Sequence, residues 1–161
     1  MDRGKKLILV SHCLLNQNSV VAPLARAKGV FPIVNALIEE GVGILQLPCP
    51  EFKFLGPERK PMNKEEYDCK EYRDLCSNLF KPVLEDIKAY LKSGYKLLGI
   101  IGINESPTCS ITGERGIFME EILEVLENEN IKIKHFEIPT TYTEEDEYSE
   151  LYSSLKKELG M

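Results

Sequence analysis

Three short apolar runs punctuate the chain, and each ends at a cysteine. Leu7-Ile8-Leu9-Val10 leads through Ser11 and His12 to Cys13, and Val42-Gly43-Ile44-Leu45-Gln46-Leu47 leads through Pro48 to Cys49. Lys96-Leu97-Leu98-Gly99-Ile100-Ile101-Gly102-Ile103 leads through a polar turn to Cys109. Runs of this length, nearly unbroken and bounded by turn residues, read as buried parallel strands. Between them the apolar period becomes helical. Ile33, Val34, Leu37 and Ile38 predict a helix over residues 30–40, with Pro32 in its first turn and Gly41 ending it in the left-handed conformation. Residues 64–92 are helical in pattern, with Tyr72, Leu75, Cys76 and Leu79 on one stripe and Val83, Leu84, Ile87 and Leu91 on another. Pro82 should kink that run or split it in two, and Gly94 closes it. Gly113 and Gly116 turn the chain into a helix whose face carries Phe118, Ile122, Val125 and Leu126. Residues 131–138 predict a fourth strand whose alternation slips at His135, as at an edge or a bulge. Thr143 with Asp146 reads as a capping box for a last helix striped by Tyr148, Leu151, Tyr152 and Leu155 and ended by Gly160.

Strands alternating with helices imply an α/β fold: a three-layer sandwich with a mostly parallel, Rossmann-like sheet of about four strands, in a single domain spanning residues 1–161. The carboxyl ends of neighbouring strands in such a sheet open onto one crevice. Cys13, Cys49 and Cys109 are therefore expected to meet there. Pro48 and Pro50 argue against regular structure around Cys49, and residues 52–63, with Gly56, Pro57 and Pro61, are expected to form an irregular functional loop or lid.

Composition narrows the chemistry. A net charge of −6 gives no general attraction to duplex nucleic acid, with Lys53, Arg59 and Lys60 as a weak local exception. Neither a membrane span nor an export signal is evident, and five cysteines, an odd number, read as reduced thiols of the cytoplasm. No G-x-G-x-x-G or G-x-x-x-x-G-K-[ST] motif occurs, and two histidines without G-x-S-x-G do not make a serine hydrolase. His12 and His135 read as structural, as do Asn104, Glu105, Thr108 and Arg115 around the third cysteine. Cys69 and Cys76, seven residues apart in a helical run, read as packing residues. Three convergent thiolates suit a soft metal centre, either zinc with an open position or a cubane iron–sulfur cluster with one open iron. A metal-free enzyme with Cys109 as nucleophile, activated by the following helix's amino terminus or a nearby base, and a zinc-binding or redox-sensing module remain open beside it.

Ser11-His12-Cys13-Leu14-Leu15, Cys49-Pro50-Glu51 and Ser106-Pro107-Thr108-Cys109 resemble, in order and position, the S-x-C-L-L, C-P-E and S-P-S-C motifs of the thiouracil desulfurase family. The resemblance covers roughly the first 115 residues and looks like a divergent branch. It implies a [4Fe-4S] cluster held by Cys13, Cys49 and Cys109, with the fourth iron free to take sulfur from a small thiolated substrate such as a thiolated nucleobase. It also implies Glu51 and Ser106 as catalytic groups beside that iron, Glu51 as base on a water and Ser106 as hydrogen-bond donor or proton relay. The chain departs from the family at Asn16-Gln17-Asn18-Ser19-Val20, at Phe52-Lys53-Phe54-Leu55-Gly56 and at Ser110, segments expected to shape the substrate pocket.

Overall fold

The computed structural model describes residues 1–146 and 150–160. Four strands, β1 (Lys6–Val10), β2 (Gly43–Gln46), β3 (Lys96–Ile103) and β4 (Lys134–Ile138), form one sheet in the order β2-β1-β3-β4, and every pair is parallel. Successive side chains of a strand face opposite ways. Ile8 and Val10 accordingly enter one core with Phe31, Leu37, Phe136 and Leu155, while Leu9 and Ile100 enter the other with Tyr72, Phe80 and Phe118. Helices α1 (Val34–Glu39) and α6 (Glu150–Glu158) cover the first face. The second is covered by α4 (Lys70–Lys92) and α5 (Ile117–Asn128), with the short α2 (Pro50–Leu55) and α3 (Lys64–Tyr67) beside them. The result is the expected three-layer α/β sandwich. Among the described residues no helix is long and apolar enough to cross a membrane.

Several local expectations fail for physical reasons. The first helix is only six residues long, and Ile38, expected on its apolar face, is 65% exposed. Gly41 does end the turn at φ +64°. Residues 50–55 are helical rather than irregular, because Pro50 stands at the first helical position, where its missing N–H has no partner to lose. Pro82 does not split its helix in two. It is exposed, as is Asn78, whose carbonyl loses a partner to it, so water can satisfy that carbonyl and α4 runs on for 23 residues. The break comes earlier, at Asp68 and Cys69, after α3 has been closed at its start by a capping box between Asn63 and Glu66. β4 is an edge strand as expected, yet its register with β3 is unbroken through His135, and the irregularity lies between Leu7 and Leu9 where β1 meets β3. Thr143 and Asp146 do bond, Thr143 N donating to Asp146 Oδ2 at 2.8 Å, but they close a turn; Tyr148 lies outside the described residues.

Two glycines allow the chain after β3 to fold back on itself. A Cβ on Gly102 would stand 2.5 Å from the Cys109 carbonyl oxygen, and one on Gly116 would stand 2.3 Å from the Thr108 carbonyl carbon. Both obstacles are backbone, which cannot swing aside. Gly116→Ala should therefore lower stability by about 1–3 kcal/mol. Gly29→Ala, with nothing within 4 Å of the added carbon, should change it by less than about 0.5 kcal/mol in the same urea titration. Equal midpoints for the two variants would contradict the close approach.

Candidate functional site

From β1 the chain moves outward to β2 on one side and to β3 on the other, so the carboxyl ends of these three adjacent strands meet at the switch in strand order. A cavity of about 320 Å³ opens there, and Cys13, Cys49, Cys109, Glu51 and Ser106 all line it. The structure thus brings together every residue that the sequence singled out for chemistry. All five cysteines are free thiols, and Cys69 and Cys76 stand apart from this wall. Cys76 is buried in the core, whereas Cys69 caps α4 in an extended conformation instead of sharing its helical face.

Each cysteine is delivered by a different local device. Ser11 N still donates to Ile101 O at 3.0 Å, extending the ladder, before one tight turn over His12–Leu14 presents Cys13. Leu47 N donates to Val10 O at 2.9 Å, and after Pro48 the Cys49 side chain caps α2, its Sγ accepting from Phe52 N at 3.5 Å. Cys109 sits in a loop closed by Ile103 N donating to Cys109 O at 3.0 Å. Inside that loop Ser106 Oγ accepts from Thr108 N at 3.2 Å and Cys109 N at 3.0 Å. Two accepted bonds leave the Ser106 hydroxyl only its proton to offer. Ser106 is therefore both the turn residue and a donor at the cavity wall. Glu137, from β4, clamps the far side of the loop by accepting from Ile111 N at 2.9 Å and Thr112 N at 3.1 Å.

Glu51, in the first turn of α2, is held by two groups that sequence reasoning did not identify as functional. The Tyr67 hydroxyl donates to Glu51 Oε1 at 3.0 Å, and Arg59 Nε lies 3.5 Å from the same oxygen. Arg59 is 3% exposed and is anchored by Nη2 donating to Ser19 O at 2.7 Å and Nη1 donating to Gly56 O at 3.1 Å. Oε2 of Glu51 has no donor among the described residues. No pattern of spacing could have paired Glu51 with a tyrosine and an arginine from a loop and a short helix. His12 also lines the cavity. Its Nδ1 is 3.0 Å from Leu47 O, and since a carbonyl can only accept, that nitrogen carries a proton.

Burial dominates the electrostatics of the thiols. It pushes Cys13 up to about 12, with the neighbouring Cys49 adding to the shift, and it raises Cys109 well above the ordinary thiol range, with Cys13 adding. Cys49 is raised for the same first reason. Each thiolate would thus face the others with little solvation. The fully buried Ser11 hydroxyl, which has no regular hydrogen-bond partner, lies beside Cys109 and opposes the shift there. Among the described residues no three His, Cys, Asp or Glu side chains are arranged to hold a single metal ion.

The comparisons add kinship without a function. The chain is 46% identical over 156 residues to the uncharacterized protein MJ0003 of Methanocaldococcus jannaschii, an alignment covering 96% of this chain and 97% of that one. No family model matches the chain. No solved structure matches it.

The protonated state of the thiols is directly measurable. In metal-free protein, the rate of iodoacetamide labelling at Cys13 should climb about tenfold per pH unit from about pH 7 to 10, because only the thiolate reacts, whereas an ordinary thiol levels off near its pKa of about 8.5. Peptide mass spectrometry reads the two profiles. A plateau at Cys13 by about pH 9 would show that burial does not control it.

Proposed function

The chain belongs to the same family as the Methanocaldococcus jannaschii protein MJ0003, and we propose for it an iron–sulfur-dependent desulfurase activity that converts C=S to C=O in a small thiolated compound. The observation that carries the reading is the convergence of Cys13, Cys49 and Cys109, with Glu51 and Ser106, on one cavity at the ends of three adjacent parallel strands. The motif resemblance to thiouracil desulfurases assigns these same five residues. The donor set fits a [4Fe-4S] cluster: three soft ligands, all free thiols, arrive from three separate backbone elements. Thiols not grouped around a single ion can still hold separate corners of a cubane.

When bound, such a cluster supplies an open iron, a soft Lewis acid for the substrate sulfur. The remaining work belongs to the chain. Tyr67 and Arg59 hold Oε1 of Glu51, so Oε2 is the oxygen available to take a proton from a water attacking the thiocarbonyl carbon. Ser106, its lone pairs engaged by two backbone amides, donates its proton to the substrate or the departing group. Water supplies the new oxygen, sulfur leaves as hydrosulfide, and neither carbon nor sulfur changes its total oxidation state. Unpaired thiols also suit a reducing compartment, so we place the protein in the cytoplasm.

Two features weigh against a Cys109 nucleophile. Its thiol is driven toward the protonated form, and the amides of Ile117 and Met119 at the start of α5 already donate to Pro107 O at 2.9 Å and Thr108 O at 3.2 Å. That helix terminus has those donors engaged by its own loop and has less to offer a thiolate.

Anaerobic purification with iron and sulfide analysis tests the cluster. Cys13→Ala, Cys49→Ala and Cys109→Ala should each lose the iron, while Cys69→Ala retains it; full iron content in the Cys109 variant would overturn the ligand assignment. Glu51→Gln should keep the iron and lower sulfide release by about 100-fold or more, the range for removing a general base. An unchanged rate would remove Glu51 from that role.

A further inference from the structure

Two arginines line the cavity, and they differ in how their charge is balanced. Arg59 has Glu51. Arg26 has no carboxylate partner among the described residues. Its guanidinium is nevertheless fixed in place: Nη1 donates to the carbonyls of Pro139 and Tyr142, the latter at 3.1 Å, and Cζ lies 5.4 Å from the centre of the Phe31 ring. The backbone is tied as well, Arg26 N donating to Gln17 Oε1 at 2.9 Å. Glu144, whose amide bonds to Arg26 O, turns its carboxylate to Lys28 N instead. The guanidinium is close enough to Cys13 that each acts on the other's charge.

We propose, resting on the desulfurase reading, that Arg26 is the anion subsite of this cavity and that the substrate is a single-ring thiocarbonyl compound bearing a carboxylate. A half-buried cation is left unneutralised at a loss of solvation, which an arriving anion offsets. With Nη1 engaged by carbonyls, Nε and Nη2 have no protein acceptor among the described residues, and that edge of the guanidinium matches the two oxygens of a carboxylate. The charge count favours a monoanion over a phosphate dianion. Among the described residues lining the cavity only Arg26 is an arginine without a carboxylate partner, and Glu51 would repel a second negative charge. Size points the same way, since about 320 Å³ is at the small end for ligand pockets. Asn104 and Thr140 supply neutral hydrogen-bonding groups to the same cavity.

Uracil and uracil-6-carboxylate differ by the carboxylate alone and carry no sulfur, so neither is consumed. Isothermal titration of each into full-length protein as purified anaerobically, its iron content measured alongside, should show the carboxylate binding at least tenfold more tightly. Arg26→Gln should cut that advantage below threefold, and Arg26→Lys, which keeps the charge without the fork, should leave an intermediate value; a thermal melt checks that each variant folds. Equal affinities in the wild type, no measurable binding of either probe, or an advantage that survives both substitutions would overturn the proposal. Sulfide release from the 2-thio analogues, measured separately, tests the desulfurase reading. A carboxylate preference lost in Arg26→Gln but accompanied by no iron and no sulfide would sustain the subsite and sink the reaction.

Discussion

Everything at the cavity depends on β1 being hydrogen-bonded on both sides. Its pairing with β2 and β3 aligns three carboxyl ends, and the ladder is carried one residue further on each side by Leu47 N to Val10 O and Ser11 N to Ile101 O. Those last bonds set the heights at which Cys13 and Cys49 leave the sheet. A slip of one residue would turn Ile8 and Val10 out of one core and Leu9 out of the other, because strand side chains alternate. Core packing therefore enforces the register, and the register enforces where the thiols stand.

That dependence explains which parts were legible in the sequence. Strand and helix order, the parallel sheet and the convergence of three cysteines could be read because each rests on a local period plus one rule about strand ends. The helix at Pro50 was misread because a proline bars helix interiors but suits a first position, and only the Cys49 cap distinguishes the two. Whether Pro82 would split its helix could not be read, because that depends on whether the orphaned carbonyl meets water, which the apolar pattern does not state. Tyr67, Arg59 and Arg26 act through contacts between segments far apart in sequence. Their side chains carry no period, so no inspection of neighbouring residues could have placed them at Glu51 or at the cavity wall.

The raised thiols would make any metal uptake a proton-releasing event. Each would have to give up its proton before it could ligate. Uptake would thus be disfavoured in acid and by the desolvation that holds the protons on. Arg26 at Cys13, the Ser11 hydroxyl at Cys109, and the Phe52 amide and Arg59 at Cys49 act in the other direction.

The two walls of the cavity are built to different tolerances. The wall bearing Cys109 is wound so closely that neither Gly102 nor Gly116 can gain a side chain without displacing the main chain, and Glu137 ties its far side. Elsewhere around the cavity, Val20 is half-buried and Leu24 is exposed. A side chain at Val20 or Leu24 can therefore change without moving the main chain, whereas the glycines behind Cys109 cannot. Such a scaffold can alter what it admits more readily than how it presents its thiols.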